Sequence, residues 1–213
     1  MTKKERAALL ADALEEVYPD ARCSLDYSTP LEMLLATQLS AQCTDARVNV
    51  VTRTLFARYK TAADYAGADY DELSEIIRPL GFFRSKAKNI IDCCQRICVF
   101  YGGEVPDTME ELLTLAGVGR KTANLVLGEI FHQPAVVVDT HCIRLTNRLG
   151  LVAEDDPVKI EFAIKKLLPP ARTLGFCHRL VMHGRARCTA RRPDCEMCEI
   201  AGLCKKVGVV SKK

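Results

Sequence analysis

Lys121 is the residue in this sequence with the clearest potential for covalent chemistry, and it follows a turn bracketed by two glycines. Gly117 and Gly119 flank Val118, and glycines at alternate positions allow a tight hairpin with positive φ that presses its backbone against a flat partner. The apolar spacing on both sides predicts helices, so Lys121 falls in the first turn of the second helix. Amide groups at a helix start lack internal acceptors and attract anions. The hairpin therefore predicts a phosphate site of the kind that nucleic acids fill.

Lys121 is an unusual residue at a helix start. A cation there is disfavoured by about 0.3–1 kcal/mol, and the same field, together with any burial, lowers the pKa of the lysine and raises the fraction of free amine. A free amine is a nucleophile that forms a Schiff base with a carbonyl-like carbon. The alternative is a solvated lysine that only touches a phosphate.

Asp139 is the second candidate for a chemical role. It follows the apolar run 135–138 and stands at the predicted start of a helix, where an aspartate accepts amide hydrogen bonds and stabilises the helix by about 1 kcal/mol. Those bonds keep the carboxylate ionised at neutral pH. An ionised carboxylate can stabilise an oxocarbenium-like centre or take a proton from a nucleophile. The residues alone also allow a purely structural cap.

Four of the eleven cysteines form a compact ligand set near the C-terminal end of the sequence. Their spacing is C-x6-C-x2-C-x5-C, and they are Cys188, Cys195, Cys198 and Cys204. The other seven are scattered through apolar helical stretches and are expected to be buried thiols. Zinc and a [4Fe-4S] cluster both accept four thiolates. Ligands confined to one short loop with a single C-x-x-C favour the cluster, although zinc stays open at this point.

Two further stretches indicate a polyanionic partner. Residues 80–89 place Phe82 and Phe83 in a basic glycine-containing loop, where an exposed ring could wedge between bases, or both rings could pack inward. Residues 177–213 contain nine Lys and Arg against three acidic residues, a net charge of +6 in a chain whose total is +3. Such an asymmetry favours nucleic acid as the partner of the basic end, with a simple solvated tail as the alternative.

The elements that position these residues are predicted to be helical throughout. With 213 residues, 48% of them hydrophobic, the chain can bury a large core as one domain or two lobes. Amphipathic spacing predicts helices over residues 2–17, 31–42, 109–115, 140–149, 157–168 and 172–183, among others. The run 135–138 is expected to be an extended, buried crossing because the sequence offers no partner strand. No apolar run of about 18 residues occurs and the N-terminus does not resemble a signal, so we expect no membrane association and a cytoplasmic, nucleoid-associated protein without a targeting signal.

Taken in order, five segments resemble the endonuclease III family of DNA glycosylases, within the helix-hairpin-helix superfamily. The segments are LSAQCTD at 39–45, GFFRSKA at 81–87, LAGVGRKTA at 115–123, VDTH at 138–141 and the four-cysteine loop at 188–204. Each is moderately specific alone, and together they cover essentially the whole chain. Two departures from the family pattern are Ala116 where many relatives carry proline, and Phe82 where an aliphatic wedge is common.

The resemblance implies roles for individual residues. Lys121 would attack C1′ of a damaged nucleotide, Asp139 would assist departure of the base, and the Schiff base would permit β-elimination on the 3′ side. Gln42 and Phe82 match positions that fill the gap and wedge the duplex when a base is flipped out. The backbone of Ala116, Gly117, Val118 and Gly119 would bind phosphates. Cys188, Cys195, Cys198 and Cys204 match the ligands of a [4Fe-4S] cluster that does no base chemistry. The residues that would meet the DNA backbone are Arg185, Arg187, Arg191 and Arg192.

The resemblance also implies an all-α fold of two helical lobes. A six-helix lobe containing the helix-hairpin-helix would span 21–134, and the second lobe would combine 1–20 with 135–213, including the cluster loop 188–204. Lys121 and Asp139 would then face each other across a cleft. The implied activity is a monomeric bifunctional glycosylase and AP lyase that acts on double-stranded DNA with oxidised pyrimidines or abasic sites. Two rivals are the adenine-removing mismatch glycosylase branch, which lacks the lysine, and a non-catalytic DNA-binding or regulatory protein.

Overall fold

A computed structural model describes residues 1–209, and every regular element in that range is helical, which confirms the all-α prediction. The α-helices are α1 (Lys3–Val17), α2 (Pro30–Leu39), α3 (Asp45–Arg58), α4 (Ala62–Ala66), α5 (Tyr70–Ile77), α6 (Phe83–Tyr101), α7 (Met109–Leu112), α8 (Arg120–Glu129), α9 (Thr140–Arg148), α10 (Pro157–Leu167) and α11 (Thr173–Ala186). Short 3₁₀ helices cover Arg78–Leu80 and Pro170–Arg172. Within the same range no helix is both long and apolar enough to cross a bilayer. Lys212 and Lys213, which contribute to the basic tail, lie outside the described residues.

The chain divides into two compact units. One unit is continuous, Ser24–Gln133, and holds α2 to α8. The other combines Met1–Cys23 with Pro134–Lys213 and holds α1 and α9 to α11 over its described part. The family resemblance implies six helices in the continuous unit, whereas the structure has seven. Two of the seven, α4 and α7, are short, with five and four residues.

In the continuous unit, α2 is almost entirely buried and α6 packs against it. Eight of the ten residues of α2 are buried, and the helix starts with Thr29 as its cap and Pro30 in the first turn, as the sequence predicts. α6 buries one face, made of Lys86, Ala87, Ile90, Cys93, Cys94 and Ile97. This spacing is that of an amphipathic helix, and α4 and α5 contact α6 while α8 contacts α2.

In the discontinuous unit, α11 joins the N-terminal helix to the C-terminal elements. α11 contacts both α1 and α9, and its Phe176 and Leu180 are fully buried. α1 begins with a reciprocal capping box between Thr2 and Glu5, which satisfies two amide groups of the helix start. Residues 135–138 are buried and belong to no helix or strand within the described residues, which agrees with the prediction of a buried segment without a partner strand.

Several helices are shorter than their apolar patterns suggested. α2 ends at Leu39 instead of Gln42, and Gln42 has a left-handed φ of 54°. The helix predicted over 109–115 ends at Leu112, where the Thr114 hydroxyl donates to the carbonyl of Glu111. A side-chain hydroxyl that takes a local carbonyl competes with helix continuation.

Candidate nucleic-acid interface and metal centre

The hairpin that precedes Lys121 has the backbone that its glycines predict. Gly117 has φ 74°, and a Cβ at this position would lie 3.0 Å from Cβ of Asn89 and 3.1 Å from Oε1 of Gln38. Both the positive φ and the close packing therefore require glycine. Gly119 is the N-cap of α8 and provides no side-chain hydrogen bond to the helix start. The first-turn amide groups are left without a side-chain cap, as a phosphate site requires.

Lys121 is the second residue of α8, and its side chain is exposed. Exposure leaves Nζ open to a large substrate, and no ion pair within residues 1–209 restrains it. Lys121 therefore combines an accessible amine with a position at the positive end of the α8 dipole.

Gln42, Phe82 and Gly117 line one open cavity of about 260 Å³ in the continuous unit. Phe82 is 64% exposed, which confirms that at least one ring of the loop faces solvent, whereas Phe83 is half-buried. Both Gln42 and Phe82 hold a left-handed backbone, with φ of 54° and 48°, a conformation that costs energy for residues with a side chain. The residues predicted to enter the duplex thus belong to one surface feature.

Three residues of the same cavity were not singled out from the sequence. Lys86 and Asn89 come from α6 and Gln38 comes from α2. Gln38 is 7% exposed, its Nε2 donates to Sγ of Cys93 at 3.3 Å, and its Oε1 has no partner in the described structure. The available sequence signal was weak, because all three positions also fit an ordinary helix face.

Asp139 is the N-cap of α9. Its Oδ1 accepts a hydrogen bond from the amide of Cys142 at 2.8 Å, and the residue is half-buried. Within residues 1–209 its Oδ2 accepts no hydrogen bond. The structural cap is therefore real, and one carboxylate oxygen stays free for a second partner. Asp139 belongs to the discontinuous unit and Lys121 to the continuous one.

The four cysteines of the C-terminal loop line a single cavity. It is bordered by Cys188, Cys195, Cys198 and Cys204, together with residues of α9 and α11. Among the described residues, no three His, Cys, Asp or Glu side chains stand close enough to ligate one ion. Four thiols around one space supply the number of ligands that either a [4Fe-4S] cluster or a tetrahedral zinc requires.

Hydrogen-bond donors surround these sulfur atoms. Nη1 of Arg148 donates to Sγ of Cys188 at 3.3 Å, and the amide of Lys206 donates to Sγ of Cys204 at 3.3 Å. Burial raises the pKa of the Cys198 and Cys204 thiols, so donors or a metal are needed to hold them as thiolates.

His183 links one of the sulfur atoms to α1. Its Nε2 lies 3.5 Å from Sγ of Cys198, and its Nδ1 lies 3.0 Å from the hydroxyl of Tyr18. If the hydroxyl donates to Nδ1, the ring directs its remaining N–H at the sulfur. His183 was not identified from the sequence, since a histidine on an apolar helix gives no distinguishing pattern.

The four arginines predicted to meet DNA have different surroundings. Arg191 and Arg192 are exposed in the cysteine loop, and Arg185 is exposed near the end of α11. Arg187 instead forms ion pairs with Glu199 at 3.1 Å and with Asp194 at 3.7 Å. A phosphate would have to share or replace those carboxylates, so Arg187 is the weakest of the four candidates.

Comparison with known proteins matches these features. Residues 35–170 match the HhH-GPD superfamily of base excision DNA repair proteins, and residues 188–204 match the iron–sulfur binding domain of endonuclease III. The endonuclease III of Synechocystis sp. is 52% identical over 204 residues, which cover 95% of this chain and 93% of the relative. That of Bacillus subtilis is 42% identical over 92% of this chain and 90% of the relative.

A solved structure of a non-covalent endonuclease III–DNA complex superposes with a TM-score of 0.92, at 40% identity, over 97% of both chains. The match to the iron–sulfur binding domain of endonuclease III decides between the two groups, and the cofactor is a [4Fe-4S] cluster instead of zinc. From its helix-hairpin-helix, its cysteine loop and these matches along nearly its full length, the chain belongs to the endonuclease III family of the HhH-GPD superfamily of base excision DNA repair proteins.

Proposed function

We propose that this chain removes oxidised pyrimidines from double-stranded DNA and then cleaves the strand 3′ to the abasic site. The observation that carries this proposal is Lys121, an exposed lysine in the first turn of α8, directly after the glycine hairpin. One relative at 40% identity and a TM-score of 0.92 was solved as a trapped endonuclease III–DNA covalent intermediate. A lysine that forms such an intermediate separates a lyase from a glycosylase that only hydrolyses.

In the proposed reaction the free amine of Lys121 attacks C1′ of the flipped nucleotide. The N–C1′ bond forms as the glycosidic bond breaks, and the electron pair of that bond leaves with the base. Opening of the sugar ring gives a protonated Schiff base, which acidifies the C2′ hydrogen. Loss of that proton expels the 3′ phosphate by β-elimination, and water then releases the lysine.

Asp139 has two properties that suit a role in base departure. Its carboxylate is held by the start of α9 and retains one free oxygen, so it can accept the proton of the attacking amine or stabilise positive charge at C1′. Gln42 and Phe82 would occupy the space that the flipped nucleotide leaves. The amides after Gly117 and the exposed Arg185, Arg191 and Arg192 would hold the DNA backbone.

We assign the cluster ligands to Cys188, Cys195, Cys198 and Cys204, whose thiols line one cavity. Their four thiolates would hold the [4Fe-4S] cluster, and a cluster bound there would tie the two ends of the loop 188–204 together. We infer further that the protein acts as a monomer, and that its activity on chromosomal DNA associates it with the nucleoid.

Borohydride trapping on a duplex with one oxidised thymine tests the proposal. Reduction of the Schiff base converts it to a stable amine, so wild-type protein should give a covalent adduct visible as a retarded band. Lys121→Gln should abolish the adduct. Lys159→Gln is the matched control, because Lys159 is also exposed in the first turn of a helix, α10, and it should trap like wild type. An adduct that survives Lys121→Gln, or no adduct from wild type, contradicts the lyase assignment.

A further inference from the structure

Lys86 is a buried lysine that forms no ion pair with a carboxylate among residues 1–209. Only 7% of its surface is exposed, and Nζ donates hydrogen bonds to the carbonyl of Leu39 at 2.9 Å and to the carbonyl of Leu80 at 3.0 Å. Lysine is almost never buried without partners, and burial lowers the pKa of this one. The cost of burying the ammonium group calls for a role that an apolar side chain could not fill.

The two carbonyls that Lys86 binds lie at the ends of two helices. Leu39 is the last residue of α2, and Leu80 is the last residue of the 3₁₀ helix Arg78–Leu80. Carbonyls at helix ends lack amide partners and carry the negative end of the helix dipole. One ammonium group therefore caps the C-terminal ends of both helices and connects two residues that are 41 positions apart in the sequence.

Each of these helix ends leads into a residue assigned to the DNA interface. Gln42 follows Leu39 by three residues, and Phe82 follows Leu80 by two. Both have left-handed backbones, which persist only where the surroundings hold them. Gln42, Phe82 and Lys86 line the same cavity. The ammonium group therefore binds the chain where each of two loops begins, the loop 40–43 with Gln42 and the loop 81–83 with Phe82.

We propose that Lys86 is a positioning residue that fixes the loops of Gln42 and Phe82 relative to each other, so that both side chains enter the duplex together. The proposal rests on the DNA glycosylase function proposed above. Lys86 acts through the two carbonyls and does not touch the nucleotide. Without the ammonium group, the loops would lose their common anchor, and opening of a paired duplex would suffer more than the chemical steps.

The test compares two substrates in single-turnover base-release assays. One duplex carries an oxidised thymine paired with adenine, and the other carries the same lesion inside an unpaired bubble, where little stacking has to be broken. Lys86→Met keeps the length of the side chain and removes the ammonium group. It should slow base release from the paired duplex at least about tenfold and from the bubble less than about threefold, since unstacking is the step that depends on the wedge.

Two other variants complete the comparison. Lys60→Met removes an exposed positive charge from the same unit and should leave both rates unchanged. Lys86→Arg keeps a cation with several donors and should recover part of the rate on the paired duplex. Equal losses of Lys86→Met on both substrates would overturn the proposal, because a general structural defect does not distinguish paired from unpaired DNA. If Lys86→Met does not fold, Lys86→Gln, which keeps a donor, replaces it in the same assay.

Amide hydrogen exchange without DNA separates this proposal from the proposed function. In Lys86→Met, residues 40–43 and 81–83 should exchange faster while the core of α11 keeps its wild-type protection. This outcome supports the anchor even if wild-type protein traps no DNA, a result that would refute only the lyase. Unchanged exchange in both loops, or equal loss of protection throughout the chain, overturns the role of Lys86.

Discussion

The two glycines of the hairpin provide a matched pair that separates folding from phosphate binding. At Gly117 an alanine would have to adopt φ 74° and would meet Asn89 and Gln38 at 3.0–3.1 Å. At Gly119 the backbone is extended, and a Cβ would have nothing within 4 Å. We expect Gly117→Ala to destabilise the fold and Gly119→Ala to weaken DNA binding with the fold intact.

The size of the first effect follows from two contributions. A left-handed backbone costs an L-residue about 1–2 kcal/mol, and overpacking a tight site costs roughly 1–3 kcal/mol. Together they predict that Gly117→Ala lowers the free energy of unfolding by about 2–5 kcal/mol. Replacing a glycine N-cap with alanine should cost less than about 1 kcal/mol, so Gly119→Ala should unfold close to wild type.

The second effect depends on where a side chain at an N-cap lies. An N-cap side chain covers the first-turn amides, so the methyl group of Gly119→Ala would stand where a phosphate has to approach. Loss of one charge-assisted hydrogen bond predicts an affinity for duplex DNA about five- to tenfold weaker.

Urea unfolding followed by far-ultraviolet circular dichroism measures the first effect, provided the slope of each transition is unchanged. Fluorescence anisotropy with a labelled abasic-site duplex at one fixed salt concentration measures the second. Equal unfolding losses in both variants would refute the packing argument at Gly117. Wild-type affinity in Gly119→Ala would refute the hairpin as a phosphate site.

Three further outcomes are expected. Asp139→Asn keeps a good helix cap and should slow base release by about 100-fold or more with DNA affinity unchanged, and a matching loss of affinity would reduce Asp139 to a structural role. Gly184→Ala would place a Cβ 2.5 Å from Nδ1 of His141 and 2.8 Å from Nη2 of Arg144, so it should lower stability by about 1–3 kcal/mol in urea, whereas Gly202→Ala, with nothing within 4 Å, should not. Burial lowers the pKa of His141, an effect that Asp139 opposes and Arg144 and Arg185 reinforce. The unfolded chain therefore binds more protons between that lowered pKa and about 6.5, so this contribution to stability is complete above pH 6.5 and is lost as the pH falls towards the folded pKa. Melting temperatures from pH 8 to pH 5 should show a smaller decline in His141→Asn, and an equal decline would contradict the assignment.

The features that could be predicted from the sequence are those whose local structure depends on immediate neighbours. The hairpin glycines, the capping aspartate Asp139 and the four-cysteine spacing each carry their signal within a few residues. The helix caps at Thr29 and Thr61 follow the same local rule, and the side-chain oxygen of each accepts a hydrogen bond from an amide of the helix start. Thr44 is the N-cap of α3 but forms no such bond, so a threonine at a helix start does not by itself establish a side-chain cap.

The end of α2 illustrates what local rules miss. The helix predicted from residue 31 continues to Gln42, whereas in the structure α2 ends at Leu39, whose carbonyl accepts a hydrogen bond from Lys86 of α6. The residues around position 39 do not indicate that its carbonyl binds a side chain 47 residues away in the sequence. The same holds for His183, whose partners Tyr18 and Cys198 come from distant parts of the chain.

The basic residues show why charge alone does not locate a binding surface. Net charge marked the C-terminal part as basic, yet Arg187 is held by Glu199 and Asp194. Arg148 donates to the carbonyls of Thr189 and Ala190, both at 2.8 Å. Both arginines therefore bind groups of the cysteine loop. Their N–H groups are less available to DNA, because the carbonyl and carboxylate partners compete directly with phosphate for them. Tertiary contacts of this kind decide which basic side chains can bind phosphate. A count of charges along the sequence does not contain that information.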